Sequence, residues 1–319
     1  MSVLRQLLIF TLSAALLSSC STSPAEMVSD STVFSQPWIS GLHENEPPLQ
    51  AQQYDSNTVV IRQSLRTSFE APFIYLVFGE EKALLIDTGA GGVDLRSMVD
   101  LQIEAWLEET GRENISLVVM HSHAHGDHVA GDEQFTDRAD TVIVGHRAED
   151  VADFFLIDSW PNGNKAFDLG GRIIDIIPTP GHHDTHIMVY DRTTRLLFSG
   201  DMLYPGRLYF QCGKADLFRS SIDRIAEFTN TRDVSWILGA HIELALKPGK
   251  SFNSNDLVRT DERLLEMTPA TITDVKSALL QMGDRLRVEP YDDFILFPHP
   301  ADPRGKKPPN WCLSQDRAN

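Results

Sequence analysis

The chain has 319 residues, 42% of them hydrophobic and 23% charged, with a formal net charge of −17. This is the composition of a folded protein with a sizeable core, in one large domain or two moderate ones. The acidic balance excludes nucleic acid and anionic membrane surfaces as favoured partners, and says nothing direct about the fold.

The chain opens with Arg5, an apolar run over 7–17 that is too short to span a bilayer, and then small residues. That order reads as a secretory signal over 1–20. The closing Leu17-Ser18-Ser19-Cys20 resembles a bacterial lipobox. The resemblance implies a lipoprotein anchored through lipid on Cys20, with Ser21 pointing to the outer membrane, facing the periplasm. Residues 21–53, rich in Ser, Pro and acidic side chains, are expected to form a flexible tether. Cys212 and Cys312 lie in no C-x-x-C pair, and an exported protein could join them in a disulfide that spacing alone does not decide.

The main domain is expected over 54–245. Residues 58–63, 73–78 and 83–86 read as strands, with a turn at 79–82. Asp87-Thr88-Gly89-Ala90-Gly91-Gly92 follows as a tight loop. Residues 95–110 have helical spacing, with Met98, Leu101, Ala105 and Trp106 on one side and Gly111 as the stop. A buried strand is expected at 115–120, a helix start at 129–135, a strand at 141–144, a helix at 148–156 and a strand at 172–177. Then come a hairpin of 187–190 with 195–198, a helix at 220–228 and a short strand at 236–238. Residues 246–319 form an extension packing on the core, with a helix near 272–282 and a strand pair within 285–297. Strands, helix and strand, repeated in the same order, indicate two β layers with helices outside.

The chemistry centres on His121-Ser122-His123-Ala124-His125-Gly126-Asp127-His128. Within it, His123, His125, Asp127 and His128 place four good metal donors in six positions, directly after a buried strand. Imidazole with carboxylate suits zinc and other borderline divalent ions. Three further donors, His182, Asp201 and His241, each follow a strand at a Gly-containing turn. Loops at one sheet edge can converge, so seven candidate ligands arise from four places.

These motifs resemble the metallo-β-lactamase superfamily: Ile86-Asp87-Thr88-Gly89, His123-x-His125-x-Asp127-His128, Thr179-Pro180-Gly181-His182, Ser199-Gly200-Asp201 and Gly239-Ala240-His241, over roughly 55–245. The resemblance implies an α/β fold, an αββα sandwich of the metallo-β-lactamase fold, here with a C-terminal α+β extension. It also implies a metallo-hydrolase with a dinuclear site at one edge of the two sheets. His123, His125 and His182 would hold one metal, Asp127, His128 and His241 the second, and Asp201 would bridge them. Asp87 would support the ligands from outside. Two Zn are expected, with Fe or Mn as alternatives by ligand type. Such metals bring the pKa of bound water from about 15.7 toward 7, so no Ser or Cys nucleophile is needed.

The resemblance further implies a small-molecule substrate: a carbonyl ester, lactone or thioester. The bridging Asp201 separates the chain from true β-lactamases. A phosphodiesterase or β-lactamase-like hydrolase on the same metals is the alternative, and a non-catalytic metal-binding lipoprotein is a third reading. His183-Asp184-Thr185 departs from glyoxalase-type thioesterases. Asp127 is the expected catalytic carboxylate. Tyr204, three after Asp201, either donates to the developing oxyanion or packs in its loop. Arg207 either binds a substrate carboxylate or forms a surface ion pair. His186 either donates to a ligand or merely opens a strand. His121, His43, His146 and His299 are expected outside the metal set, the last three on the surface.

Overall fold

The central strands of this chain are buried at every position, because both faces of its sheets are covered. The computed structural model describes residues 33–299. In chain order these form β1 (Leu49–Asp55), β2 (Thr58–Gln63), β3 (Phe73–Phe78), β4 (Lys82–Ile86), α1 (Leu95–Thr110), β5 (Ser116–Met120), the short α2 (Gly126–Val129), a 3₁₀ turn (Asp132–Phe135) and β6 (Thr141–Ile143). Next come α3 (Ala148–Phe155), β7 (Lys165–Asp168), β8 (Ile173–Pro178), β9 (Ile187–Asp191), β10 (Leu196–Gly200), β11 (Arg207–Gln211) and α4 (Ala215–Thr229). The remainder is β12 (Trp236–Gly239), β13 (Glu266–Met267), α5 (Ala270–Met282), β14 (Glu289–Pro290) and β15 (Ile295–His299).

Two six-stranded sheets result, ordered β1-β2-β3-β4-β5-β6 and β13-β12-β10-β9-β8-β7. Strand side chains alternate between faces, and the packing follows that period. Phe73, Tyr75, Val77, Val118 and Met120 of the first sheet face Ile174, Ile176, Val189 and Phe198 of the second. Their neighbours Ile74, Leu76, Leu117 and Val119 turn outward under α1. On the second sheet, Ile177, Met188, Tyr190 and Leu197 turn outward under α4 and α5. The layers are therefore α, β, β and α, as the family resemblance implies.

Several features differ from the expectation, among them a short helix and a 3₁₀ turn in place of one helix at 129–135, and unexpected strands β7 and β13. First, α1 buries Leu95, Val99, Ile103 and Trp106, while Leu101 is exposed. Each of those four side chains contributes about 1.5–3 kcal/mol on burial, which outweighs leaving one Leu in water. The helix ends, as expected, at Gly111, whose φ of 68° suits a residue without Cβ. Second, of the tether expected over 21–53, residues 33–53 pack on the body, and 21–32 lie outside the described residues. Phe34 is buried, and β1, with the polar sequence LQAQQYD, pairs antiparallel with β2. Third, α4 begins at Ala215, five residues before the expected 220. Fourth, β11 pairs in parallel with β15, and β15 pairs with β14, making a third sheet from the extension. Cys212 is disulfide-bonded; the other two cysteines, Cys20 and Cys312, lie outside the described residues.

Candidate metal centre

Five strand ends meet at one edge of the sandwich. In the first sheet β4 and β5 run parallel. In the second, β9 is antiparallel to both β8 and β10, and β12 is parallel to β10, so β8, β10 and β12 point the same way. Backbone bonds tie the sheets together there: Phe73 N–H donates to Ala240 O (2.8 Å) and Ile187 N–H to Ser122 O (2.8 Å).

All seven expected donors arrive at this edge, in two groups. In one, His125 Nδ1 lies 2.9 Å from His123 Nε2 and 3.0 Å from His182 Nε2. Asp201 Oδ2 is 3.4 Å from His182 Nε2 and 3.8 Å from His123 Nε2. In the other, Asp127 Oδ2 is 3.2 Å from His128 Nε2 and 3.3 Å from His241 Nε2. Asp201 Oδ1 is 3.5 Å and 3.3 Å from the same two nitrogens. Asp201 thus turns one oxygen to each group.

The outward nitrogens show which inward ones carry lone pairs. His182 Nδ1 donates to Tyr209 O (2.9 Å), and His241 Nδ1 to Glu70 O (2.8 Å). His128 Nδ1 donates to Asp87 Oδ2 (2.8 Å). Ser122 Oγ donates to Asp87 Oδ2 (2.9 Å) and so is free to accept from His123 Nδ1 at 3.1 Å. In the neutral rings the inward Nε2 atoms are then unprotonated, as metal-binding imidazoles must be. Such lone pairs, packed about 3 Å apart, repel unless a cation sits among them. His128 Nε2 and Asp201 Oδ1 are buried with no hydrogen-bond partner. The donor set fits two divalent cations.

The electrostatics agree. Burial holds His123 well below the ordinary imidazole range, with His128 reinforcing it; burial also lowers His182 and takes His125 down to about 4. These rings stay neutral. At His128 and His241 burial disfavours charge, but surrounding carboxylates outweigh it and raise both well above the usual value. Asp201 is likewise opposed by burial, and its imidazole neighbours hold it well below the usual range. A divalent cation in the second group would displace protons from His128 and His241.

Local backbone explains how these side chains are aimed. Asp87 has a φ of 70°, which costs energy for a residue with a Cβ. Its carboxylate offsets that cost by accepting from Ser122 N–H (2.6 Å), Ser122 Oγ and His128. Gly200 has a φ of 52°, and a Cβ there would lie 2.6 Å from His186 Nε2, so only glycine lets Asp201 enter.

The other expected residues divide. His186 accepts the Asp201 N–H on Nε2 (3.1 Å) and faces Thr179 Oγ1 through Nδ1 (2.9 Å), so it holds Asp201 in place. Tyr204 packs in its loop: its hydroxyl donates to Arg207 O and lies 3.3 Å from Glu243 Oε2. That proton is directed to the backbone, which favours loop packing of the two readings, while the ring also lines the central cavity. Arg207 is not a surface ion pair. Its side chain is largely buried, 3.2 Å from Glu243, and donates to Ser251 Oγ and Phe252 O. His43, His146 and His299 are exposed as expected, and His299 also lines the central cavity.

That cavity, about 330 Å³, is lined by His125, Asp127, His182, Asp201, Tyr204 and His241 together with Glu70, Tyr209 and Glu243. The last three were missed from sequence. Glu243 could have been found two residues after His241, but Glu70 and Tyr209 sit in no motif.

Residues 68–241 match the family model of the metallo-beta-lactamase superfamily. The chain belongs to that superfamily. Its relatives include hydrolases. The hydroxyacylglutathione hydrolase of Rhizobium meliloti (strain 1021) is 28% identical over 141 residues, covering 42% of this chain and 54% of that protein. The acyl-coenzyme A thioesterase MBLAC2 of Bos taurus is 27% identical over 207 residues, covering 53% of this chain and 72% of that protein. The chain thus spans about half the length of the first relative and about seven-tenths of the second. A solved metallo-beta-lactamase from Pontibacter korlensis superposes with a TM-score of 0.49 at 17% identity, over 73% of this chain and 99% of that one.

Proposed function

We propose that this metallo-hydrolase uses a pair of divalent cations, zinc by donor chemistry, to cleave a thioester at the carbonyl carbon. The observation that carries the reading is Asp201, whose two oxygens divide between two groups of otherwise convergent nitrogens and carboxylates. Cations bound there lower the pKa of water toward neutrality and polarise the substrate carbonyl.

The chain's own residues do the rest. His123, His125, His182, Asp127, His128 and His241 would hold the two cations, and Asp201 would offer one carboxylate oxygen to each group. Asp127 lines the cavity, where it would accept the attacking water's proton and pass it on to solvent. The carbon–sulfur bond then breaks, and the thiolate takes up a proton from solvent.

The leaving group supports a thioester. A thiol ionises near pH 8.5, so a thiolate departs without a proton donor, whereas an alkoxide of much higher pKa benefits from one. The phenol of Tyr204, a donor the sequence offers as one of two readings, lines the cavity but gives its proton to a backbone carbonyl. The relatives' names include a hydroxyacylglutathione hydrolase and an acyl-coenzyme A thioesterase, and the latter supports the same class. An oxygen ester or lactone is the nearest alternative substrate.

The test is metal analysis with a panel of acyl-coenzyme A and acyl-glutathione thioesters, lactones, phosphodiesters and a cephalosporin. Thioesters should turn over fastest, and Asp127→Ala should lose about 10²–10⁴-fold in kcat/KM. Full activity in a chelator-stripped preparation would overturn the metal reading. Preference for a phosphodiester or the cephalosporin would overturn the substrate class.

A further inference from the structure

Two histidines outside the seven-donor set meet at a separate place. His121 directly follows β5, Asp132 opens the 3₁₀ turn, and His146 lies in the loop after β6. His121 Nε2 is 2.8 Å from Asp132 Oδ1, and His146 Nε2 is 2.7 Å from Asp132 Oδ2. The two rings pack edge-on, with centroids 4.8 Å apart, and one donor atom from each of the three residues falls within 4.8 Å of the others. Thr88 Oγ1 donates to Asp132 Oδ1 (2.7 Å), fixing the carboxylate from behind.

A plain hydrogen-bonded bridge explains part of this, since each ring can donate Nε2–H to one carboxylate oxygen. It leaves His121 poorly accounted for. The His121 side chain is only 4% exposed, and its Nδ1 is buried with no partner. An orphaned buried polar atom costs about 1–3 kcal/mol. An apolar residue at this strand end would avoid that cost. What the imidazole provides in return is Nε2, aimed at Asp132 beside a second, solvent-open imidazole.

We propose that His121, Asp132 and His146 form a third divalent-cation site, distinct from the seven-donor centre. Two imidazoles and a carboxylate are the donor set of a borderline ion, with Zn²⁺ the natural occupant and Ni²⁺ or Cu²⁺ able to compete. His146 is exposed, so the site opens to solvent and water completes the coordination. Its place suggests a brace: one ion would join the end of β5, the 3₁₀ turn and the loop after β6. Through Thr88 it would stiffen the loop that carries Asp87, the residue that orients His128.

The experiment is equilibrium dialysis of the full chain against Zn²⁺, followed by elemental analysis, for wild type, His146→Ala and Asp132→Asn. His146 is at the surface, so its variant folds; Asp132→Asn is the second arm. Both variants should bind one equivalent fewer than wild type and keep thioester turnover within about twofold. In a Zn²⁺ titration the wild-type thermal midpoint should keep rising over that last equivalent, and the variants' should not. Equal zinc content in wild type and His146→Ala would overturn the proposal. The readout is a difference between proteins, so it holds whatever number of ions the main centre takes.

Discussion

Asp201 does at the level of atoms what the seven-residue spacing could only suggest: it serves two donor groups with one side chain. The seven donors were legible because each sits where a strand leaves the core beside a glycine or another donor, and there sequence order and spatial convergence coincide. Orientation was not legible. The partner of the Tyr204 hydroxyl is a backbone carbonyl three residues on, and no residue type encodes a carbonyl. Glu70 was likewise invisible, since it enters the site partly through its own backbone oxygen on His241 Nδ1. Tyr204→Phe should therefore leave kcat/KM for a thioester within about threefold and lower stability by about 1 kcal/mol, the worth of one hydrogen bond. Parallel kinetics and urea unfolding would check this, and a hundredfold loss of kcat would return Tyr204 to the chemistry.

At the scale of elements, the strands read easily where burial on both faces makes them continuously apolar, as in β3 and β9. Those carried by pairing alone escaped notice. β1 is polar along most of its length and lies at the sheet edge, and β11 alternates only weakly before joining β15. One contact explains how the extension is held. Arg62 on β2 is fully buried and meets Glu262 through two bonds of 2.7 and 2.8 Å, while also donating to Ile39 O. Removing one partner of a buried pair strands the other charge. Glu262→Ala should thus cost about 3–5 kcal/mol in chemical denaturation. A loss under 1 kcal/mol would mean that water reaches Arg62.

At the scale of the whole molecule, the sandwich and its order were evident from the alternation of strand and helix, but the third sheet was not. Its strands come from residues 207–211 and 289–299, and only the folded chain brings them together. Among the described residues no helix is long and apolar enough to cross a membrane. We propose that lipid on Cys20 anchors the protein to the cell envelope. Cys20→Ala should release the protein from the membrane fraction, and a variant that still pellets with membranes would sink the idea. A last consequence follows from the edge where the sheets are tied together. His123 to His128 come from one sheet and His182, Asp201 and His241 from the other, so neither half of an unfolded or half-folded chain presents the full donor set. Ions that bind only the assembled edge draw the equilibrium toward it, by about 2.7 kcal/mol for each site when free ion is a hundredfold above its dissociation constant. Zinc supply in the compartment would then set how much of this protein survives proteolysis, as well as how fast it turns over its substrate.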